Sequence, residues 1–264
     1  MSIYFAKKNL IDLTKKAEIV IQNTGLGTQK AKISVAFDIS GSMRDRYQRN
    51  EVQETSDRLL PLAIIFDDNR SLDMFAFNEE GFQLGEVSEQ NFYQFVQKNV
   101  SPLVDGGTEY APVMKMILES YGIHLDKKTP SNQSSAKGFF SKVFGVNKKT
   151  PGSTLVSEAS TPTPLDEPIF VIFETDGDNF DHKATEEIIR LSSHYGVFWK
   201  FVGIGNERFR FLEKLDDLPG RLIDNANFIA IKDVSSISDE MLYEDLLKEF
   251  PEWIVEARNK GLIK

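Results

Sequence analysis

The stretch Ile33-Ser-Val-Ala-Phe-Asp38-Ile-Ser40-Gly-Ser42-Met43 decides the fold. Residues Ile33–Ile39 form a nearly continuous apolar run that ends in a polar loop, the pattern of a strand buried on both faces. Similar runs recur at Leu72–Phe77, Ile169–Phe173, Val197–Ile204 and Asn227–Ile231. Phe82–Val87 alternates more and has polar neighbours, as an edge strand does. Helical periodicity lies between these runs, at Val52–Phe66, Asn91–Val100, Ala111–Tyr121, Ala184–His194 and Phe209–Leu215. Such alternation predicts an α/β fold: a mostly parallel central sheet, helices on both faces and one antiparallel edge strand. Pro61 falls inside the first helical segment and predicts a kink there, because proline removes a backbone donor.

The chain ends carry further helical signal. Residues 5–22 read as a helix or an extended lead-in, which the sequence leaves open, and residues 1–29 are set apart from a domain over 30–264. Leu242, Leu246, Phe250, Trp253, Ile254 and Ala257 recur at helical spacing, and Pro251 suits the first turn of a second helix. They predict a C-terminal helical extension over 238–264 that docks through an aromatic stripe. From Asp126 to Glu167 the composition shifts to Ser, Thr, Pro, Gly and Lys, which reads as a flexible insertion. Its middle, residues 136–146 (AKGFFSKVFGV), places phenylalanines on one helical face beside lysines. That segment either pins the insertion to the domain or touches a membrane or partner surface.

Composition narrows the chemistry. The 264 residues include 31 basic and 40 acidic side chains, a net charge of −9, which disfavours nucleic-acid partners. No cysteine is present, so disulfides, thiolate zinc sites and cysteine nucleophiles are excluded. Three histidines, His124, His182 and His194, make a histidine-rich metal site a poor expectation. No apolar run has the length of a signal peptide or a membrane span, and the expected location is cytoplasmic. Gly25-Leu-Gly27 lacks the third glycine of a dinucleotide loop, and no phosphate loop, GxSxG elbow or HExxH pair occurs.

What remains is oxygen chemistry. Asp38, Ser40 and Ser42 supply one carboxylate and two hydroxyls from one tight loop, and Gly41 lets the backbone bend between the serines. Hard oxygen donors suit Mg²⁺ or Mn²⁺, and so few charges leave the ion with open or water-filled positions. The loop follows a buried strand, where open α/β sheets bind their ligands. Gly106-Gly-Thr108-Glu-Tyr110 offers a second loop with a hydroxyl, and Glu174-Thr-Asp176-Gly-Asp178 a third with a carboxylate after a buried strand. Serine and threonine also cap helices and turns, but three such loops at one sheet edge point to a site.

DxSxS, a loop threonine and TDG after a buried strand resemble the metal-ion-dependent adhesion site (MIDAS) of Rossmann-like von Willebrand factor A (vWA) domains. VQETSDRLLPLAIIFDD, GGTEYAPVM, FETDGDN and LLKEFPEW are similar to the TerF-like, tellurite-resistance and stress-response branch of bacterial A domains. The resemblance covers about residues 30–260. Another domain often precedes the A domain in TerF-type proteins, and a chain of this length is expected to be a stand-alone member.

The resemblance implies metal positions at Asp38, Ser40, Ser42, Thr108 and Asp176, the hydroxyls touching Mg²⁺ (or Mn²⁺ or Ca²⁺) and the aspartates acting directly or through water. Two carboxylates against a divalent ion leave a site that is about neutral, so a partner's Glu or Asp can complete the coordination. The expected function is therefore protein binding, without catalysis. Arg44, Arg46, Tyr47, Arg49, Glu109 and Asp178 are expected on the partner-binding rim. Glu109, Asp178 and Asp181 could instead hold a second cation, or be solvent-facing carboxylates or N-caps for the helix that begins near His182. Two alternatives stay open: a metal-dependent phosphatase or hydrolase using Asp38 or Asp176, and a membrane-peripheral scaffold acting through residues 136–146.

Overall fold

The computed structural model describes residues 2–125 and 163–264. Six strands form one sheet: β1 (Lys32–Asp38), β2 (Leu72–Phe77), β3 (Gly81–Val87), β4 (Ile169–Thr175), β5 (Val197–Ile204) and β6 (Ala226–Ile231). Their order is β3-β2-β1-β4-β5-β6. All neighbours pair in parallel except β3, which runs antiparallel to β2 at the edge. The strand alternation sorts the core into two layers. Ile33, Val35, Phe37, Phe170, Ile172 and Phe198 face one side, and Ala36, Val171, Phe173, Trp199 and Phe201 face the other.

Helices cover both faces. On the first lie α1 (Ile3–Asn23), α2 (Arg44–Gln48), α3 (Glu51–Phe66), α4 (Phe95–Asn99), α8 (Asp239–Leu247) and α9 (Phe250–Asn259). On the second lie α5 (Ala111–Ser120), α6 (His182–Ser192) and α7 (Arg210–Asp216). α6 shows how the pattern works: Thr185, Ile188, Ile189 and Ser192 are buried, spaced to fall on one stripe of the helix.

The N-terminal segment is a helix. α1 packs against α3 and α8 through Leu10, Leu13, Ala17, Val20 and Ile21. At the other end the aromatic stripe is wholly buried, with Phe250 in edge contact with Phe66 and Phe170 and stacked near Trp253. Pro251 lies in the first turn of α9, as its lack of a donor favours. Leu165 then bridges to Ile263, tying the segment before β4 to the C-terminal residues.

One local expectation needs correction. Residues 91–100 do not form one helix, since α4 starts only at Phe95 and a 3-10 turn follows at Ser101–Leu103. Asn91 Oδ1 accepts from Ser88 N at 2.7 Å and Gln94 sits at φ 58°, so side-chain turn chemistry outcompetes the helical pattern there. α3 runs through Pro61 without interruption. Residues 136–146, and most of the expected insertion, lie outside the described residues.

Candidate metal centre

The chain leaves β1 for β2 on one side, and the later strands begin at β4 on the other, so the strand order reverses between β1 and β4. That is the switch point where α/β sheets open a crevice at the carboxyl ends. β1 ends at Asp38 and β4 at Thr175, with Phe37 opposite Glu174 in the register. The two carboxylate-bearing loops are therefore neighbours by topology.

Backbone hydrogen bonds stitch the three loops together. Gly41 N donates to Gly106 O at 3.0 Å, Asp105 N to Ile39 O at 2.9 Å, and Phe180 N to Thr108 O at 3.0 Å. Gly106 has φ 84°, a left-handed backbone that side chains rarely adopt, so the second loop's path favours glycine.

Within this frame Ser42 Oγ donates to Asp176 Oδ1 at 2.8 Å, and the Ser40 and Ser42 hydroxyls are 3.0 Å apart. Asp38 lies beneath them, fully buried, its Oδ1 accepting from Ser40 N at 2.8 Å and its Oδ2 from the Thr175 hydroxyl at 2.6 Å. Burial pushes its carboxyl up to about 6, against the hydrogen bonds from Ser40 and Thr175. Thr108 is 8% exposed, on the loop joined to Gly41 and Phe180. The donor set at the surface is thus hydroxyl-rich and all oxygen, with Asp176 as the outer carboxylate. Such a set fits a hard divalent cation. Among the described residues no cluster of three or more His, Cys, Asp or Glu side chains could hold a metal ion, so a site here must rely on hydroxyls.

Several supporting groups were not legible in the sequence. Thr175 sits inside the TDG segment but reads as a strand residue; only strand pairing places it against Asp38. Glu174 is 1% exposed, with the Thr55 hydroxyl beside its carboxyl group. Burial pushes it up to about 8, with the Arg46 guanidinium opposing. Tyr110 spans the loops, its hydroxyl donating to Gly177 O at 2.8 Å. Asp181 accepts from Tyr110 N at 3.0 Å and Ala111 N at 2.7 Å, so its carboxylate caps α5 and not the helix at His182. Asp178 pairs with His182 at 2.7 Å and Glu109 is half-buried, its N–H bound to Asn78 O.

The expected rim divides. Arg44 and Arg49 are exposed, near Asp105 and Glu51 respectively. Arg46 is mostly buried and braced by Glu51 at 2.9 Å, by Ile204 O at 3.0 Å and by Asp176 at 3.7 Å. Tyr47 does not stand on the rim: it is 6% exposed and its hydroxyl donates to Asp38 O at 3.0 Å. It follows Arg46 on α2, whose short turn aims the ring inward as a support under the β1 end. Phe180, 82% exposed beside Gly107, is a surface aromatic at the site that the sequence reading passed over.

A switch-point crevice with hydroxyl and carboxylate donors from three loops defines the von Willebrand factor A class. The family model for the vWA domain found in the TerF C terminus matches residues 30–263, and the chain belongs to this vWA-TerF-like family. An uncharacterised protein of Bacillus subtilis, YcbR, is 36% identical over 259 residues, covering 96% of this chain and 90% of that one. Among solved structures, proximal thread matrix protein 1 from the mussel byssus superimposes with a TM-score of 0.52 at 16% identity over 83% of this chain. This chain covers 47% of that protein, about half its length. The SpRpn10 VWA domain superimposes with a TM-score of 0.50 at 11% identity, covering 83% of this chain and 94% of that domain. These likenesses concern the fold. Among the described residues no helix is long and apolar enough to cross a membrane.

Proposed function

We propose that this protein is a binding module that captures an acidic side chain of a protein partner through a divalent cation, Mg²⁺ before Mn²⁺ or Ca²⁺. The observation that carries the reading is the contact of Ser40, Ser42 and Asp176 at the switch point, above a buried Asp38. Ser40, Ser42, Thr108 and Asp176 would hold the ion, and Asp38 would orient Ser40 and balance charge. The cation, when bound, supplies an electrophilic centre that a carboxylate can complete. The chain's own groups keep that centre from being satisfied internally: two hydroxyls stand where carboxylates would saturate it. Membership in the TerF-like branch supports placing this capture in a bacterial tellurite-resistance or stress-response assembly, in the cytoplasm.

The test is affinity capture from a bacterial lysate with wild type and Asp38→Ala, each in Mg²⁺ or EDTA. Partners retained only by wild type in Mg²⁺ are expected. Capture that survives chelation, or Mg²⁺-dependent phosphoester turnover lost in Asp38→Asn, would overturn the reading.

A further inference from the structure

A cleft of about 370 Å³ opens directly beside the candidate metal ring, with Ser42 and Asp176 on one wall and the loop from β5 into α7 on the other. That loop and the first turn of α7 carry Arg208-Phe209-Arg210-Phe211, and the alternation splits them by face. Phe209 and Phe211 are each 6% exposed. Phe209 packs on Phe228 and beneath Gly203, where a Cβ would lie 2.8 Å from its ring. Phe211 stacks on His182, with centroids 3.8 Å apart. With both rings anchored in the core, Arg208 and Arg210 are held outward at the cleft.

The charges at the cleft are unevenly satisfied. Arg46 is consumed by Glu51 and the Ile204 carbonyl, and Asp178 by His182. The other arginines, Arg44, Arg49, Arg58, Arg70, Arg190, Arg221 and Arg258, each have a side-chain hydrogen bond or ion pair. Among the described residues, the guanidinium groups of Arg208 and Arg210 alone make neither. In a chain of net charge −9, two unengaged arginines therefore stand two residues apart where the loop enters α7, with Glu207 the one carboxylate beside them in the chain, across a cleft from the cation site.

We propose that this cleft takes a second anionic side chain of the same partner segment, so that the ligand is a peptide bearing two acids. One acid completes the metal ring, and the other, a carboxylate or a phosphate, is held by Arg208 and Arg210. This rests on the reading of the ring as a carboxylate-capturing cation site and adds what selects among acidic partners. The guanidinium fork suits a two-oxygen anion, and its pre-set position lowers the ordering cost of the contact.

The experiment is fluorescence anisotropy in Mg²⁺ with labelled Gly/Ser peptides. They carry one glutamate, two glutamates roughly two to five residues apart, or one glutamate and one phosphoserine at those spacings, a reach of roughly 3.3 Å per residue. Wild type is expected to bind a two-acid peptide about tenfold tighter than the one-acid peptide, as a charge-assisted contact would give. That gain is expected to vanish in R208Q/R210Q and to shrink in high salt. A larger gain with phosphoserine than with glutamate assigns the second acid as phosphate, and equal gains assign it as any anion. The Mg²⁺-induced rise in Tm is read in parallel, to tell loss of folding or of the ring from loss of the second contact. Equal binding of one-acid and two-acid peptides, or a gain that persists in R208Q/R210Q, overturns this proposal alone. Failure of every peptide together with no Mg²⁺ effect on Tm overturns the metal reading as well.

Discussion

Ser42 Oγ donates to Asp176 Oδ1 at 2.8 Å, joining residues 134 positions apart. Neither loop could hold this geometry alone, because β1 and β4 must first pair to bring their carboxyl ends side by side. The contact ties together the two strands between which the crevice opens, and it concentrates two hydroxyls and a carboxylate where a cation can replace the serine proton as their common partner.

Mg²⁺ should therefore stabilise the fold. At roughly a hundredfold excess over Kd the gain is about 2.7 kcal/mol, read as a rise in Tm by differential scanning calorimetry. Asp38→Ala and Ser42→Ala should each abolish the metal-dependent part. A wild-type Tm indifferent to Mg²⁺, Mn²⁺ and Ca²⁺ would argue against a cation site here.

Metal affinity should fall in mild acid. Asp38 is raised to about 6 by burial, so below that pH the free protein holds a proton that must leave when a cation binds. Above about 6 the affinity should be flat with respect to this group, and below it should weaken about tenfold per pH unit. Isothermal titration with Mg²⁺ at pH 7.5 and 5.0 measures this, and equal affinities would show that Asp38 is ionised throughout.

Lys200 predicts a pH dependence of stability in a higher range. It is wholly buried on β5, bonded to Asn227, and burial pulls its ammonium down to about 7 despite Glu249, Asp245 and Asp216. In the unfolded chain the same group stays protonated up to about 10.5, so from about 7 to 10.5 the unfolded state binds more protons and stability rises with pH. Below about 7 both states are protonated and the penalty is constant. Relative to Lys200→Met, wild type should gain up to about 1.4 kcal/mol per unit between pH 7 and 9 in urea denaturation. A difference that does not change with pH would refute the depressed ammonium.

α1 lies outside the residues matched by the family model, yet it closes the core against α3 and α8. Leu10→Ala should cost about 2–5 kcal/mol, the range for a buried leucine that leaves a cavity. Denaturation at or near the wild-type midpoint would mean that α1 is dispensable packing.

Gly203→Ala should strain the loop that carries Arg208 and Arg210. The new methyl would sit 2.8 Å from the Phe209 ring, which is pinned by Phe228, so a cost of about 1–3 kcal/mol is expected. Thermal unfolding reads it, and an unchanged Tm would show that Phe209 moves freely.

The sheet was legible because its strands announce themselves. ISVAFDI is nearly all apolar and IFVIF wholly so, since each is covered on both faces, and no helical period fits them. The boundaries of α4 were less legible, because Asn91 and Gln94 use side-chain and left-handed backbone chemistry that a hydrophobic count does not register. At the site, Asp38, Ser40 and Ser42 could be grouped by sequence because they are two residues apart in one loop. Asp176 and Thr108 could be added only because their loops also follow or precede regular elements.

The sequence by itself determined the family, the parallel sheet and the oxygen-only character of the candidate site, since strand composition, loop spacing and the absence of cysteine are local properties. Only the tertiary structure decided which side chains share a space. Strand register put Thr175 against Asp38, burial turned Tyr47 inward and raised the Glu174 carboxyl, and packing of Phe209 and Phe211 held Arg208 and Arg210 at the cleft. Those placements depend on contacts between segments far apart in the chain, and on the loss of solvent that follows, neither of which a linear pattern encodes.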